Sequence, residues 1–281
     1  MKMKTPSFRG SLRLVLSSEE QKHAIYAFDV LGDMALIEIP RVLQKKGIQI
    51  GRILLQTNPR LRKVFEKVGS HEGKYRIEKI KWLAGEKSSE VLYKENGCVF
   101  HVDPSKVFFN PRLGTERLRV IQKIKKNQKV VVFFGGVGIY AIEIAKHAFP
   151  QKVITIEWNP AAQKFVERNM VQNKVNYLVQ SISGNVKKIK PIPEFDHVIM
   201  HAPEQALECL PAAVKWLSPK GGVIHCYLFV SAQNREKEAQ EKIRAILDKK
   251  NFSGGYSLAY IHKVSDFSSQ KVQVCVGIKV R

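Results

Sequence analysis

The sequence is poor in acidic residues, has few cysteines, and lacks any long apolar run. Its 281 residues hold 25 Asp and Glu against 47 Lys and Arg, a net charge of +22. Four cysteines, Cys98, Cys209, Cys226 and Cys275, stand far apart, with no C-x-x-C pair and no His at metal-ligand spacing. That spacing argues against a disulfide scaffold and a zinc site, and it suits reduced thiols in a cytoplasmic protein. No apolar stretch reaches the ~18 residues a spanning helix needs, so no membrane segment is expected. The basic start MKMKTPSFRGSLR lacks the apolar stretch of a secretory signal. Internal repeats and low-complexity tracts are also absent.

What is present begins with the charge. Folding does not require such an excess, and self-repulsion works against compaction. Lys and Arg gain by displacing counterions from phosphates, so a nucleic acid is the favoured partner. An anionic membrane or a generic basic surface are the alternatives. Hydrophobic residues make up 44% of the chain, enough for a sizeable core in one large domain or two ordinary ones.

The first hundred residues read as a small mixed domain, residues 1–102. A polar, helix-compatible stretch covers Leu16 to Phe28, and Met34 to Ile39 favours strand after a turn at Gly32-Asp33. Periodicity does not decide Lys45 to Leu55. Asn58 to Lys81 is very polar, and Val91 to Tyr93 with Cys98 to Val102 form a hairpin around Asn96-Gly97. Residues 103–281 form the second domain, opening with an amphipathic helix marked by Leu118, Ile121 and Ile124.

Strands are expected at Val130 to Phe134, Lys152 to Ile156, Tyr177 to Gln180, Asp196 to Met200 and Gly222 to Val230, with two more at Ser257 to Ile261 and Val272 to Val280. Helices fall after the first strand up to His147, then at Ala161 to Val171, Pro203 to Leu217 and Asn234 to Lys249. Such alternation specifies a mostly parallel sheet covered on both faces. The fold class is therefore α/β, a Rossmann-like domain preceded by a smaller α+β domain.

In such sheets ligands sit beyond the carboxyl ends of the strands. Gly135-Gly136-Val137-Gly138 follows the first of them, and Gly136 and Gly138 allow a sharp turn close to a ligand. The second strand ends in Glu157, where a carboxylate can accept both hydroxyls of an adenosine ribose. That geometry fits NAD and S-adenosylmethionine alike. Ala141 at the third glycine position of the dinucleotide fingerprint does not separate them, and the charge favours S-adenosylmethionine with an RNA substrate.

Several strings carry a more specific resemblance: KYRIEKIKWLAGE, YKENGCVFHVDPSKVFFNPRLGTERLRV, FFGGVGIYAIEIA, IEWNPAAQKFVERNMVQNKV and DHVIMHAP...GGVIHCY. They resemble the archaeal and eukaryotic family that methylates N1 of guanosine 37 in tRNA. That family is a class I S-adenosylmethionine-dependent group sharing its scaffold with wybutosine-pathway transferases. The resemblance runs from Pro6 over most of the chain, and implies a chain without the family's extra N-terminal domain for the tRNA body. It implies Glu116 as general base, Arg76 as the contact to the target guanine, and Arg112 as an ordering residue. His201 takes the place beside the target base. For the cofactor it implies Phe134, Gly136, Gly138, Glu157, Trp158, Asn185 and Pro203. The partner implied is the anticodon-loop region of tRNA, bound by a monomer, with no DNA and no metal.

The chemistry is coherent by itself. Guanine N1 carries a proton and is a poor nucleophile, so a positioned carboxylate should take that proton while a guanidinium steadies O6. The base must leave its stack, which favours an exposed loop nucleotide. Three positions depart from the family pattern. Val132 stands where an Asp is expected, His201-Ala202-Pro203 where N-L-P or N-P-P is expected, and Asn185 where an acidic residue is frequent. The first should weaken cofactor binding, and the second changes the donor beside the base. Three alternatives follow: methylation of a tricyclic guanosine derivative at position 37, aminocarboxypropyl transfer to it, or an RNA-binding homologue of little activity.

Overall fold

The computed structural model describes residues 7–69, 73–248 and 255–281. The first six residues of the basic start, residues 70–72 of the polar stretch, and Lys249 at the end of one expected helix lie outside them. The chain forms two compact units, residues 1–94 with 99–109, and residues 95–98 with 110–281. The division thus falls after Phe109 instead of after residue 102. Asp103 explains the difference, because its carboxylate accepts from Ser89 Oγ at 2.7 Å and pairs with Lys106 at 2.9 Å, which holds the following segment to the first unit.

In the first unit, helix α2 (Ser18–His23) lies within the helix-compatible stretch Leu16 to Phe28 and covers only part of it, and helix α1 (Phe8–Val15) precedes that stretch. Ser17 sets the start of α2, capping it in a capping box with Glu20. Strands β1 (Phe28–Leu31) and β2 (Met34–Ile37) pair antiparallel around the Gly32 turn. The undecided segment becomes helix α3 (Gly47–Thr57), which crosses to β3 (Lys63–Lys67), parallel to β2. Strand β4 (Ile80–Gly85) closes a sheet of order β1-β2-β3-β4. Leu12, Ile37, Leu43, Leu54 and Leu83 are at its core.

Strand β3 was hidden in the polar stretch because two of its charges are buried. Lys63 donates to the Glu90 carbonyl at 2.8 Å, and Glu66 accepts from Gln44. The hairpin of β5 (Val91–Glu95) and β6 (Cys98–Val102) turns at Asn96 and Gly97, both at positive φ, as the Asn-Gly signal requires.

The second unit opens with helix α4 (Gly114–Ile121). Its strands are β7 (Lys129–Phe133), β8 (Lys152–Glu157), β9 (Val179–Ser183), β10 (His197–Met200), β11 (Gly222–Ser231), β12 (Tyr256–Asp266) and β13 (Lys271–Val280). Between them lie α5 (Ile139–His147), α6 (Pro160–Gln172), α7 (Ala206–Val214) and α8 (Arg235–Leu247). The sheet order is β12-β13-β11-β10-β7-β8-β9, parallel from β11 to β9 and antiparallel at β13 and β12. The strand order reverses outward from β7, so the carboxyl ends of β7, β8 and β10 flank the switch point. Strands β7 and β10 are buried along nearly their whole length, which is why they read as unbroken apolar runs.

Candidate active site

Strand β7 ends in a strained loop. Phe134 has φ +59°, a conformation that a bulky residue adopts only under constraint, and Gly136 and Gly138 have φ +56° and +88°. Gly135 packs against β8 so closely that a Cβ there would stand 1.9 Å from Thr155 Oγ1. Gly138 then starts α5, whose first turn presents backbone N–H groups.

Glu157 ends the adjacent strand. Its carboxylate accepts from Gly136 N at 2.8 Å and from Asn159 N at 2.7 Å. Burial pushes its proton affinity up, while the N–H groups of Asn159, Gly136 and Trp158 hold it down. These N–H donors occupy part of a carboxylate's lone-pair capacity and leave room for a ribose hydroxyl. Next to Glu157 in sequence, Ile156 and Trp158 line a cleft of about 260 Å³ with Phe134 and Val186 as further apolar lining and Asn185 as polar lining. A flat, polar-edged aromatic group such as a purine suits that lining. Phe134, Trp158 and Asn185 were expected from sequence; Lys187 and Glu208, ion-paired at 2.5 Å, were not. Pro203 sits in the turn before α7, and Val132 is buried within β7.

Glu116 projects from the first turn of α4 and is 7% exposed. Arg119 grips it with two bonds, Nε to Oε2 at 2.6 Å and Nη2 to Oε1 at 2.7 Å. Tyr227, on β11, donates to Oε1 at 2.7 Å, and the Tyr140 and Tyr227 hydroxyls lie 2.6 Å apart. Burial holds both tyrosines well above their usual proton affinity, so they stay hydroxyls. His201 follows β10, with its ring 4.5 Å from that of Tyr227 and 5.8 Å from that of Tyr140. Tyr227 therefore brings Glu116 and His201 into one cluster, and the Met200–Phe133 register places His201 one strand over from Phe134.

Arg112 lies in the 3-10 turn before α4, its N–H capped by Asn110. Arg76 belongs to the first unit, at φ +54°, with its guanidinium 5.0 Å from the Phe108 ring centre. Sequence reasoning did not single out Arg119, Tyr140 or Tyr227. The i, i+3 spacing of Glu116 and Arg119 is a legible signal for their pairing, whereas Tyr227 lies on a distant strand. Among the described residues no group of His, Cys, Asp and Glu could hold a metal, and no helix is long and apolar enough to cross a membrane.

A glycine loop after the first strand of this seven-stranded order, followed by a carboxylate after the second, defines a class I methyltransferase. The donor of that class is S-adenosylmethionine, and Glu157 with the neighbouring cleft fits its ribose and purine. Residues 91–253 match the TRM5/TYW2 methyltransferase domain, and residues 8–88 match the TYW2 N-terminal domain. The chain belongs to the TRM5/TYW2 methyltransferase family.

It is 36% identical over 223 residues to the tRNA (guanine(37)-N(1))-methyltransferase Trm5b of Pyrococcus abyssi, covering 79% of this chain and 66% of that protein. It is 30% identical over 270 residues to the tRNA 4-demethylwyosine(37)-methyltransferase Taw21 of Saccharolobus solfataricus, covering 95% and 98%. The crystal structure of the Pyrococcus abyssi Trm5b superposes with a TM-score of 0.83 at 30% identity, over 94% of this chain and 78% of that one. The complex structure of aTrm5 and tRNALeu superposes with a TM-score of 0.84 at 27% identity, over 99% of this chain and 79% of that one.

Proposed function

We propose that this protein methylates the base at position 37 of a tRNA, with N1 of guanosine 37 as acceptor. The observation that carries the reading is Glu116: a buried carboxylate, fixed from two sides and sharing one cluster with His201. Among the described residues its four lone-pair sites receive two bonds from Arg119 and one from Tyr227, which leaves one site on Oε2 for the N1 proton. Fixing the carboxylate in advance avoids reorganisation as the proton moves. His201, steadied by the two tyrosine rings, is suited to a hydrogen bond at the base edge. Bound against Glu157, S-adenosylmethionine supplies an electrophilic methyl group. The role of Arg76 as a base contact rests on the sequence resemblance and is tested by Arg76→Ala.

A second reading has its own support. The similarity to the Saccharolobus protein extends over 98% of that protein, and the first unit matches a TYW2 N-terminal domain. The acceptor would then be a tricyclic guanosine derivative, with aminocarboxypropyl transfer as the variant that gives a heavier product. The experiment uses two tRNAs, one with G37 and one with 4-demethylwyosine at 37, each incubated with S-adenosylmethionine and digested for nucleoside mass. A gain of one methyl on G37, abolished in Glu116→Gln, supports the first reading. A gain only on the tricyclic base replaces it with the second. No transfer to either, with tRNA binding intact, leaves an RNA-binding homologue.

A further inference from the structure

We propose that His262 takes the proton from Glu116 and passes it to solvent after each methyl transfer. The inference rests on Glu116 being the base. A base that has taken a proton must release it before the next cycle, and Glu116 is almost wholly buried.

Among the described residues the geometry offers a way out on the Oε2 side. Glu116 Oε1 already accepts from Arg119 and Tyr227, while Oε2 accepts only from Arg119 among the described residues. His262, on β12, places Nε2 3.7 Å from Oε2, and its side chain is 47% exposed. That separation closes with a small side-chain rotation or one bridging water. The other polar routes from this cluster lead inward. Tyr227 and Tyr140 end in the core, and both are held strongly as hydroxyls. Beyond Arg119, the Tyr260 ring leads to His225 and His197, two buried imidazoles that resist protonation. Cys275, opposite His262 on β13, has its thiol pushed up to about 12.

The groups facing His262 suit a carrier. Partial burial and the cations Arg119 and Lys123 press its proton affinity below the usual histidine value, and Glu116 alone pulls it up. That lowered proton affinity favours the neutral ring, with one ring lone pair ready to accept, and favours passing the proton on. In the reaction, the N1–H pair becomes the new N1–CH3 bond as the carbon–sulfur pair returns to sulfur. The proton rests on Oε2, then transfers to Nε2 as the Oε2–H bond breaks, and finally leaves to water.

The test compares wild type, His262→Ala, His262→Gln and Glu116→Gln on whichever position-37 substrate the wild type methylates. For both His262 variants, steady-state kcat should fall by roughly 10²-fold, the lower end for an acid–base contribution. Their single-turnover rate and kcat/KM should stay at the wild-type level, so KM falls together with kcat. Added imidazole should restore kcat in His262→Ala and leave wild type unchanged. Equal losses in single turnover and steady state, without imidazole rescue, would mean a structural role and overturn the relay. An inactive Glu116→Gln beside an unimpaired His262→Ala overturns the relay alone. Full activity in Glu116→Gln, or no substrate for wild type, overturns the base and the relay together.

Discussion

Tyr227 donates a hydrogen bond to Glu116 Oε1 at 2.7 Å across a sequence separation of 111 residues, joining a strand of the main sheet to the helix that precedes it. The same hydroxyl lies 2.6 Å from that of Tyr140, so one buried oxygen serves two partners. Tyr227→Phe therefore leaves Glu116 one donor short and the Tyr140 hydroxyl without its partner. The expected cost is about 1–3 kcal/mol in urea unfolding. Tyr140→Phe combined with Tyr227→Phe should cost less than the two single changes added together. Strict additivity would show that the hydroxyls are not one network.

The proposed ribose contact of Glu157 gives a binding prediction. Glu157→Ala removes a charged acceptor from the cofactor cleft, and loss of a hydrogen bond to a charged group costs roughly 1.5–3 kcal/mol. Calorimetry with S-adenosylmethionine should show affinity lowered by about 10- to 100-fold, with Glu157→Gln between the two. Unchanged affinity in Glu157→Ala would place the ribose elsewhere.

Gly135 tests the fit of the loop against β8. A methyl at this position meets Thr155 Oγ1 at 1.9 Å, so Gly135→Ala should cost about 1–3 kcal/mol by overpacking and weaken cofactor binding. Thr155 Oγ1 is buried without a hydrogen-bond partner among the described residues, so Thr155→Ala alone removes little polar interaction. The double variant should recover much of the loss, because Thr155 Cβ stands further off at 3.3 Å. No recovery would mean that the loop conformation, not the hydroxyl, sets the cost.

Two buried histidines govern the acid side. His197 lies 3.0 Å from His225, which contacts the Tyr260 hydroxyl, and His197 Nε2 meets Gln128 Oε1 at 2.9 Å. Gln128 Oε1 can only accept, which makes His197 Nε2 the donor and Nδ1 the acceptor from His225. Burial lowers His197 to about 4 and His225 well below the usual 6.5. The unfolded chain then binds more protons below pH 6.5, so stability is complete above that value and falls as pH drops toward 4. For His197 the loss approaches roughly 3 kcal/mol. In pH-dependent thermal unfolding His197→Asn should show a shallower decline; an identical slope would rule the pair out as its cause.

A carboxyl pair acts in the other direction. Glu143 accepts from Asn96 Nδ2 at 3.0 Å beside Glu95, which Arg117 grips at 2.5 and 2.7 Å. Burial, and then the Glu95 carboxylate, raise Glu143 to about 8. Its folded-state proton is held where the unfolded chain has lost it, so this stabilisation is full below about pH 4.5 and disappears as pH rises through 8. Glu143→Gln keeps the shape without the titration and should be more stable than wild type at pH 8.5, by about 1–3 kcal/mol. A variant less stable at every pH would show that the carboxyl shape, not its proton, matters.

The legibility of this protein follows burial. Strands β7, β8, β10 and β11 lie inside the sheet, so their apolar runs and the turns after them are written in the sequence. The edge strand β9 is less clearly marked: it was expected at Tyr177 to Gln180 and occupies Val179–Ser183, with Tyr177 strongly exposed. Strand β3 left only the short apolar pair Val64-Phe65, since Lys63 and Glu66 beside them are buried by virtue of partners from other segments.

The sequence by itself determined where the glycine loop and Glu157 stand in the fold, because a short span fixes a turn after one strand and a carboxylate at the end of the next. The same holds for Glu116 as a residue in the first turn of a helix. Only the tertiary structure decided what holds Glu116 and what surrounds it. Tyr227, Tyr140 and His262 come from β11, α5 and β12, and their contacts with α4 exist only once the sheet has ordered those strands side by side. Hydrogen bonds depend on distance in space, and a linear sequence records that distance only between near neighbours.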